Sequence, residues 1–139
     1  TAQANPSRMI AVGGGCNAKV FGKQRLPELP NLVYLGYITD EQIIALMQQC
    51  LGFLFPTFYE GFGLPPMEAL ACGARVAVSD TPCMREVYRD SVLYFDPRVP
   101  SHDLQSLFSS NVASPEMVLS QYSWSNSAEK LLSLLQGLP

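Results

Sequence analysis

Tyr59-Glu60-Gly61-Phe62-Gly63-Leu64-Pro65-Pro66-Met67-Glu68-Ala69-Leu70-Ala71-Cys72-Gly73 is the stretch whose reading decides the fold. One apolar run, Gly52-Phe53-Leu54-Phe55-Pro56, leads into it, and another, Val76-Ala77-Val78-Ser79, follows. Pro65 and Pro66 suit a first helical turn, where a missing N–H costs nothing. Gly73 suits the position just past a helix end. The segment therefore reads as strand, glycine loop, short helix over 64–72, strand. Gly61 and Gly63 let the backbone approach a ligand closely. The free N–H groups of Phe62, Gly63 and Leu64, with the positive end of the helix dipole, make an anion site. Glu60 precedes the helix and Glu68 lies about one turn inside it. A carboxylate accepts paired hydrogen bonds from neighbouring sugar hydroxyls, so the set suits a sugar–phosphate–ribose ligand. Without any ligand, the glycines simply make turns and Glu68 complements the dipole; spacing alone leaves both readings open.

Working outward, Arg8-Met9-Ile10-Ala11-Val12 reads as a buried strand ending in Gly13-Gly14-Gly15. Residues 16–31 read as loop with at most a turn of helix. Asn31-Leu32-Val33-Tyr34-Leu35 is the second strand, closed by Gly36. Thr39 with Gln42 has capping-box spacing, and Ile43, Ile44, Leu46, Met47 and Cys50 follow as one apolar helical face. Gly52 ends that helix, and Phe53-Leu54-Phe55 is the third strand. Met67, Leu70 and Ala71 are the core positions expected of the helix after the loop. Arg75-Val76-Ala77-Val78 and Val92-Leu93-Tyr94-Phe95 are the fourth and fifth strands, joined by a capped helix over Thr81–Val87. From Pro100 the pattern turns helical, at about 102–110, 115–121 and 124–136. Trp124, Ala128, Leu131, Leu132 and Leu135 make a stripe on the last, either core or docking surface. Short, non-alternating strands between helices predict an α/β fold, a Rossmann-like parallel sheet with helices on both faces. Ligands of such sheets sit outside the carboxyl ends of the strands, where the glycine loop falls.

The 139 residues suit a single domain, and 47% apolar with 15% charged residues excludes disorder. A net charge of −3 makes nucleic acid or an anionic membrane an unobvious partner. The four cysteines show no CxxC spacing and there is one histidine, so no metal site is expected. Cys50 and Cys72 read as core thiols, reduced in a cytosolic setting. Nothing resembles a leader or an apolar run of ~18 residues, so the chain reads as cytoplasmic. Thr1–Pro6 is neither a start nor a signal and suggests a piece of something longer.

The Glu60-to-Glu68 stretch, with Phe55-Pro56 before it and Val76-Ala77-Val78-Ser79-Asp80 after it, resembles the signature of glycosyltransferase family 4. These are retaining nucleotide-sugar glycosyltransferases of the GT-B fold. Val12–Gly15, Val33–Glu41, Arg85-Glu86-Val87, Leu93–Pro97 and Tyr122-Ser123-Trp124 match that family's C-terminal domain in order, over roughly residues 8–136. The resemblance implies a mannosyltransferase-like hexosyltransferase whose donor-binding half is this chain. Glu60 would be catalytic, holding donor-sugar hydroxyls near the reacting centre, and Glu68 would bind the ribose diol. N–H groups of Phe62, Gly63 and Leu64 in the Gly61–Leu64 loop would hold the diphosphate, with Tyr37 and Ile38 beside the base and Gly14 in the donor-binding set. No metal or cofactor is implied, since helix dipole and basic side chains offset the leaving diphosphate.

The resemblance also sets two expectations of incompleteness. The family's Arg–Lys clamp lies before Arg8, and the N-terminal acceptor domain is outside this chain. The family reading makes 1–139 one donor-binding domain incomplete at its N-terminus, with C-terminal helices in 115–139. It is expected to be inactive alone, with full-length enzyme that is cytoplasmic or membrane-peripheral. In a doubly wound sheet the first strand is central, so its absence predicts an exposed edge, marginal stability, repacking or pairing with another chain, including a homo-oligomer. Two rival functions are a non-catalytic nucleotide-binding remnant and part of a GT-B nucleotide-sugar epimerase. Elsewhere, His102 reads as a surface helix-start residue, Arg85-Glu86 as a surface or capping pair, and Ser79-Asp80-Thr81 as cleft edge or cap. Cys72 reads as a packed thiol rather than a nucleophile.

Overall fold

The structure, a computed structural model, describes residues 2–13, 28–99 and 101–138. Gly14, Cys16 and most of the expected 16–31 loop lie outside the described residues. After a 3-10 turn at Ala2–Ala4 come β1 (Ile10–Gly13), β2 (Leu32–Gly36), α1 (Asp40–Gln49), β3 (Phe53–Phe55) and α2 (Leu64–Ala71). Then follow β4 (Val76–Ser79), α3 (Pro82–Tyr88), β5 (Leu93–Phe95), α4 (Leu104–Leu107), α5 (Glu116–Gln121) and α6 (Trp124–Gln136). All pairings are parallel, as the apolar runs predict. Among the described residues they form two sheets instead of one, β1-β2 and β3-β4-β5.

The three-stranded sheet carries the core. Side chains alternate across a strand. Phe53, Phe55, Val76, Val78 and Tyr94 thus share one face, with Met47 of α1, Ala69 and Leu70 of α2, Met84, Val87 and Tyr88 of α3, and Val118 of α5. Leu54, Ala77, Leu93 and Phe95 share the other, with Leu107 and Phe108 at the end of α4. Helices therefore cover both faces, and every residue of β4 is buried. Burying a valine fully contributes roughly 1.5–3 kcal/mol. Gly52 admits the second layer: a Cβ there would lie 2.5 Å from the Phe108 ring.

The β1-β2 sheet is different. Ala11, Val12 and Gly13 are exposed, as are Val33 and Tyr34. The expected strand at Arg8–Val12 starts only at Ile10, because the Asn31 side-chain amide holds the chain before it in a turn. That amide donates to the carbonyls of Ala2, Asn5 and Arg8 at 3.0, 2.9 and 3.0 Å. Asn5 is buried and bridges to the far end of the chain. Its amide donates to the His102 carbonyl at 2.7 Å, and its oxygen accepts from the Leu104 N–H at 2.9 Å.

Local signals account for most element ends. Thr39 and Gln42 form both halves of the capping box on α1. Gly73 has φ 84° and its N–H bonds the Leu70 carbonyl at 2.9 Å, closing α2. Four expectations need correction. Of the α1 stripe only Met47 is buried; Ile44 and Leu46 are exposed, and so is Cys50, which caps the helix and is no core thiol. On α2 it is Ala69, not Ala71, that joins Leu70 in the core. The expected 102–110 helix shrinks to Leu104–Leu107, started by the Asp103 cap and ended at Phe108, which turns onto Gly52. Finally, α6 buries none of its residues and Trp124 is 85% exposed, so of the two readings of its stripe, core or docking surface, core is ruled out. Among the described residues no helix is long and apolar enough to cross a membrane.

Candidate functional site

The parallel order β3-β4-β5 places the segments after these strands at one end of the sheet. Residues 56–63 leave β3 there, beside Asp80-Thr81 leaving β4. The two segments are joined where the Ser79 hydroxyl meets the Phe55 carbonyl at 3.4 Å. Gly63 is the turning point into α2. Its backbone is left-handed (φ 81°, ψ 66°), and no side chain caps the helix. The left-handed backbone there calls for glycine, and an added Cβ would lie 2.8 Å from the Met84 methyl carbon and push that methyl aside. Pro65 and Pro66 offer no N–H, which leaves the backbone donors at this end to Phe62, Gly63 and Leu64.

The loop rests on α3. The buried Tyr88 hydroxyl donates to the Gly63 carbonyl, and the Cys83 thiol donates to the Gly61 carbonyl at 3.1 Å. Phe62 is half-buried and meets the Tyr122 ring edge-on, with centroids 5.0 Å apart. Leu64 is half exposed at the helix start, Glu60 is half-buried, and Glu68 is exposed on α2. Burial pushes the Cys83 thiol up, helped by the charges of Glu86 and Glu60. Burial also pushes the Tyr88 phenol well above its ordinary value, against a hydrogen bond from the Met67 backbone, with Glu60 again raising it. The Glu60 carboxylate is thus an electrostatic neighbour of the α3 face that carries the loop.

The structure brings Glu60, Gly61, Phe62, Gly63, Leu64 and Glu68 into one loop-and-helix unit. Tyr37 and Ile38 follow β2, in the other sheet. Tyr37 is 95% exposed and Ile38 half-buried.

The remaining candidates have structural jobs. Arg85 does not pair with Glu86. Its guanidinium donates twice to Asp80, at 2.7 and 2.8 Å, and stacks on the Tyr94 ring 3.7 Å from the centroid. The Arg85 hydrogen bonds hold the Asp80 carboxyl below its usual range. Thr81 caps α3 by accepting from the Met84 N–H at 3.5 Å. Ser79 is fully buried, so Ser79-Asp80-Thr81 serves the turn and cap. His102 lies 3.1 Å from the Asp96 carbonyl and packs on Phe95, fixing the segment after β5. Tyr94 donates to the Arg89 and Met84 carbonyls at 2.6 and 3.2 Å, tying down the end of α3.

Sequence reasoning missed Tyr88, Met84 and Cys83 as the seat of the loop. The available signal was the i, i+4 spacing of Met84 and Tyr88, which puts both on one helical face.

Known proteins place the chain in a family. The family model for glycosyl transferases group 1 matches residues 2–117. O-antigen chain mannosyltransferase B of Escherichia coli is 44% identical over 78 residues, covering 53% of this chain and 20% of that protein. The serotype-specific mannosyltransferase WbdA of Escherichia coli is 41% identical over 76 residues, 55% of this chain and 9% of that one. O-antigen chain mannosyltransferase RfbU of Salmonella typhimurium is 33% identical over 66 residues, 48% and 19% of the two chains. These matches span a fifth or less of each relative's length. With the family model covering the sheet, the glycine loop and both glutamates, the chain belongs to the glycosyl transferases group 1 family.

Proposed function

We propose that this chain binds the donor of a retaining hexosyltransferase of the GT-B type, a nucleoside diphosphate sugar, at the 60–68 loop and helix start. Since it spans only part of its relatives' length, donor binding is assigned to the chain and transfer to the whole protein. The observation that carries the reading is the left-handed Gly63 turn into α2, flanked by Glu60 and Glu68, within the matched family span. The N–H groups of Phe62, Gly63 and Leu64 hold the diphosphate, where the helix dipole favours negative charge. Exposed Glu68 accepts hydrogen bonds from the ribose diol, and Glu60 from hydroxyls of the sugar. In the whole protein, the bond from the anomeric carbon to the diphosphate oxygen breaks. A bond to an acceptor hydroxyl forms on the same face of the sugar. The acceptor proton passes to the departing diphosphate, and donors aimed at that developing charge lower the barrier. The mannosyltransferase names of the relatives favour mannose as the hexose.

The test is calorimetric titration of the chain with UDP, GDP and ADP. One of the three binds, and Glu68→Ala weakens it about tenfold, as expected for a charged hydrogen-bond pair. Binding by none of them, or binding indifferent to Glu68→Ala, contradicts the assignment.

A further inference from the structure

The α3 face beneath the glycine loop contacts carbonyls, and carbonyls determine where N–H groups point. In a trans peptide the C=O and the following N–H lie in one plane and point in opposite directions. The Gly63 carbonyl shares its plane with the Leu64 N–H, and the Gly61 carbonyl with the Phe62 N–H. Tyr88 holds the first carbonyl and Cys83 the second. We propose that Tyr88, assisted by Cys83, is a positioning residue for diphosphate binding. By anchoring the Gly63 and Gly61 carbonyls on α3, the pair turns the Leu64 and Phe62 N–H groups outward, towards the ligand. This deepens the donor-site reading and rests on it.

Three observations support a specific device over general packing. Tyr88 is fully buried, yet its hydroxyl is spent on a backbone carbonyl 25 residues away, at the one left-handed glycine of the loop. Met84, one turn earlier on the same face, fills the space that a Cβ at Gly63 would take, so hydroxyl and methyl together fix the turn. At Gly61 an added Cβ would meet open space, and the Cys83 thiol donates to the carbonyl of that peptide at 3.1 Å. A tyrosine phenol is protonated through the physiological range, so the hydroxyl stays a donor. Preorganised donors bind an anion without first ordering a loop.

The test uses Tyr88→Phe, which removes the hydroxyl and keeps the ring, and Cys83→Ala. Amide spectra of the ligand-free protein are recorded first. Tyr88→Phe shifts the Leu64 amide most, and Cys83→Ala the Phe62 amide, while the melting curve stays cooperative. Binding is then compared between UDP, GDP and ADP and the nucleosides uridine, guanosine and adenosine. Tyr88→Phe weakens the diphosphate that binds about threefold to tenfold, as for one lost hydrogen bond, and leaves its nucleoside unchanged. An unmoved Leu64 amide overturns the positioning role. So does equal weakening of diphosphate and nucleoside, which marks Tyr88 as support for the whole fold. Failure of the wild-type chain to bind any diphosphate overturns the donor-site reading instead, and the amide arm still decides what Tyr88 positions.

Discussion

The two sheets of this chain have the same parallel pairing and opposite fates. In β3-β4-β5 the middle strand is buried throughout, and helices pack against both faces. In β1-β2 most residues are exposed and the apolar side chains of Val12 and Val33 stand 39% and 40% open. Strand-forming sequence is common to both; among the described residues, cover is not. A parallel strand built from apolar residues is stable when both its faces are enclosed. The candidate site belongs to the enclosed half, where its loop is hydrogen-bonded to a helix that packs on the three-stranded sheet. That helix is α3.

Truncating one valine in each sheet should break or sharpen the contrast most. Val78→Ala removes fully buried methyl groups from β4 and should cost about 2–3 kcal/mol in urea unfolding. Val12→Ala in β1 should stay within about 0.5 kcal/mol. Equal costs would mean that the β1-β2 sheet is as well covered as the other.

Alkaline pH offers a second probe of the enclosed half. Burial raises the Tyr94 phenol to about 12, partly offset by the Arg85 charge on its ring, while the unfolded side chain titrates at its ordinary value of about 10. The native state therefore retains a proton that the unfolded chain releases. Stability from this tyrosine is complete below pH 10 and drains away as pH rises towards 12. Tyr88 acts in the same direction. Melting temperatures across this window should fall in the wild type and fall less in Tyr94→Phe. An identical slope in the variant would remove Tyr94 from the account.

Much of this arrangement was legible in the residues. Apolar runs such as Phe53–Phe55 and Val76–Ser79, punctuated by glycine and proline, gave the order of elements. Thr39 with Gln42 marked a helix start to the residue. What periodicity does not carry is what lies opposite a face. Ile44 and Leu46 repeat at helical spacing yet stand open, and Ala69 rather than Ala71 faces the sheet. Trp124, Leu131, Leu132 and Leu135 repeat at helical spacing, yet none of them is buried. Contacts between distant residues were equally hidden. Arg85 reaches back to Asp80 because adjacent helical side chains such as Arg85 and Glu86 diverge. Within the candidate site, local sequence marked Gly61, Gly63 and the two glutamates, and the left-handed turn at Gly63 emerged only from the backbone. Local sequence could not disclose the Tyr88 hydroxyl, whose partner is separated by a helix and a strand.

The most direct test of the central claim is where a nucleoside diphosphate touches the chain. Amide shifts should be followed while UDP, GDP and ADP are titrated into the ligand-free protein. The account predicts that the nucleotide that binds moves the amides of Gly61–Leu64 and Glu68 most, and leaves those of β1 unmoved. Saturable shifts centred away from the loop, with residues 61–64 unaffected, would contradict it.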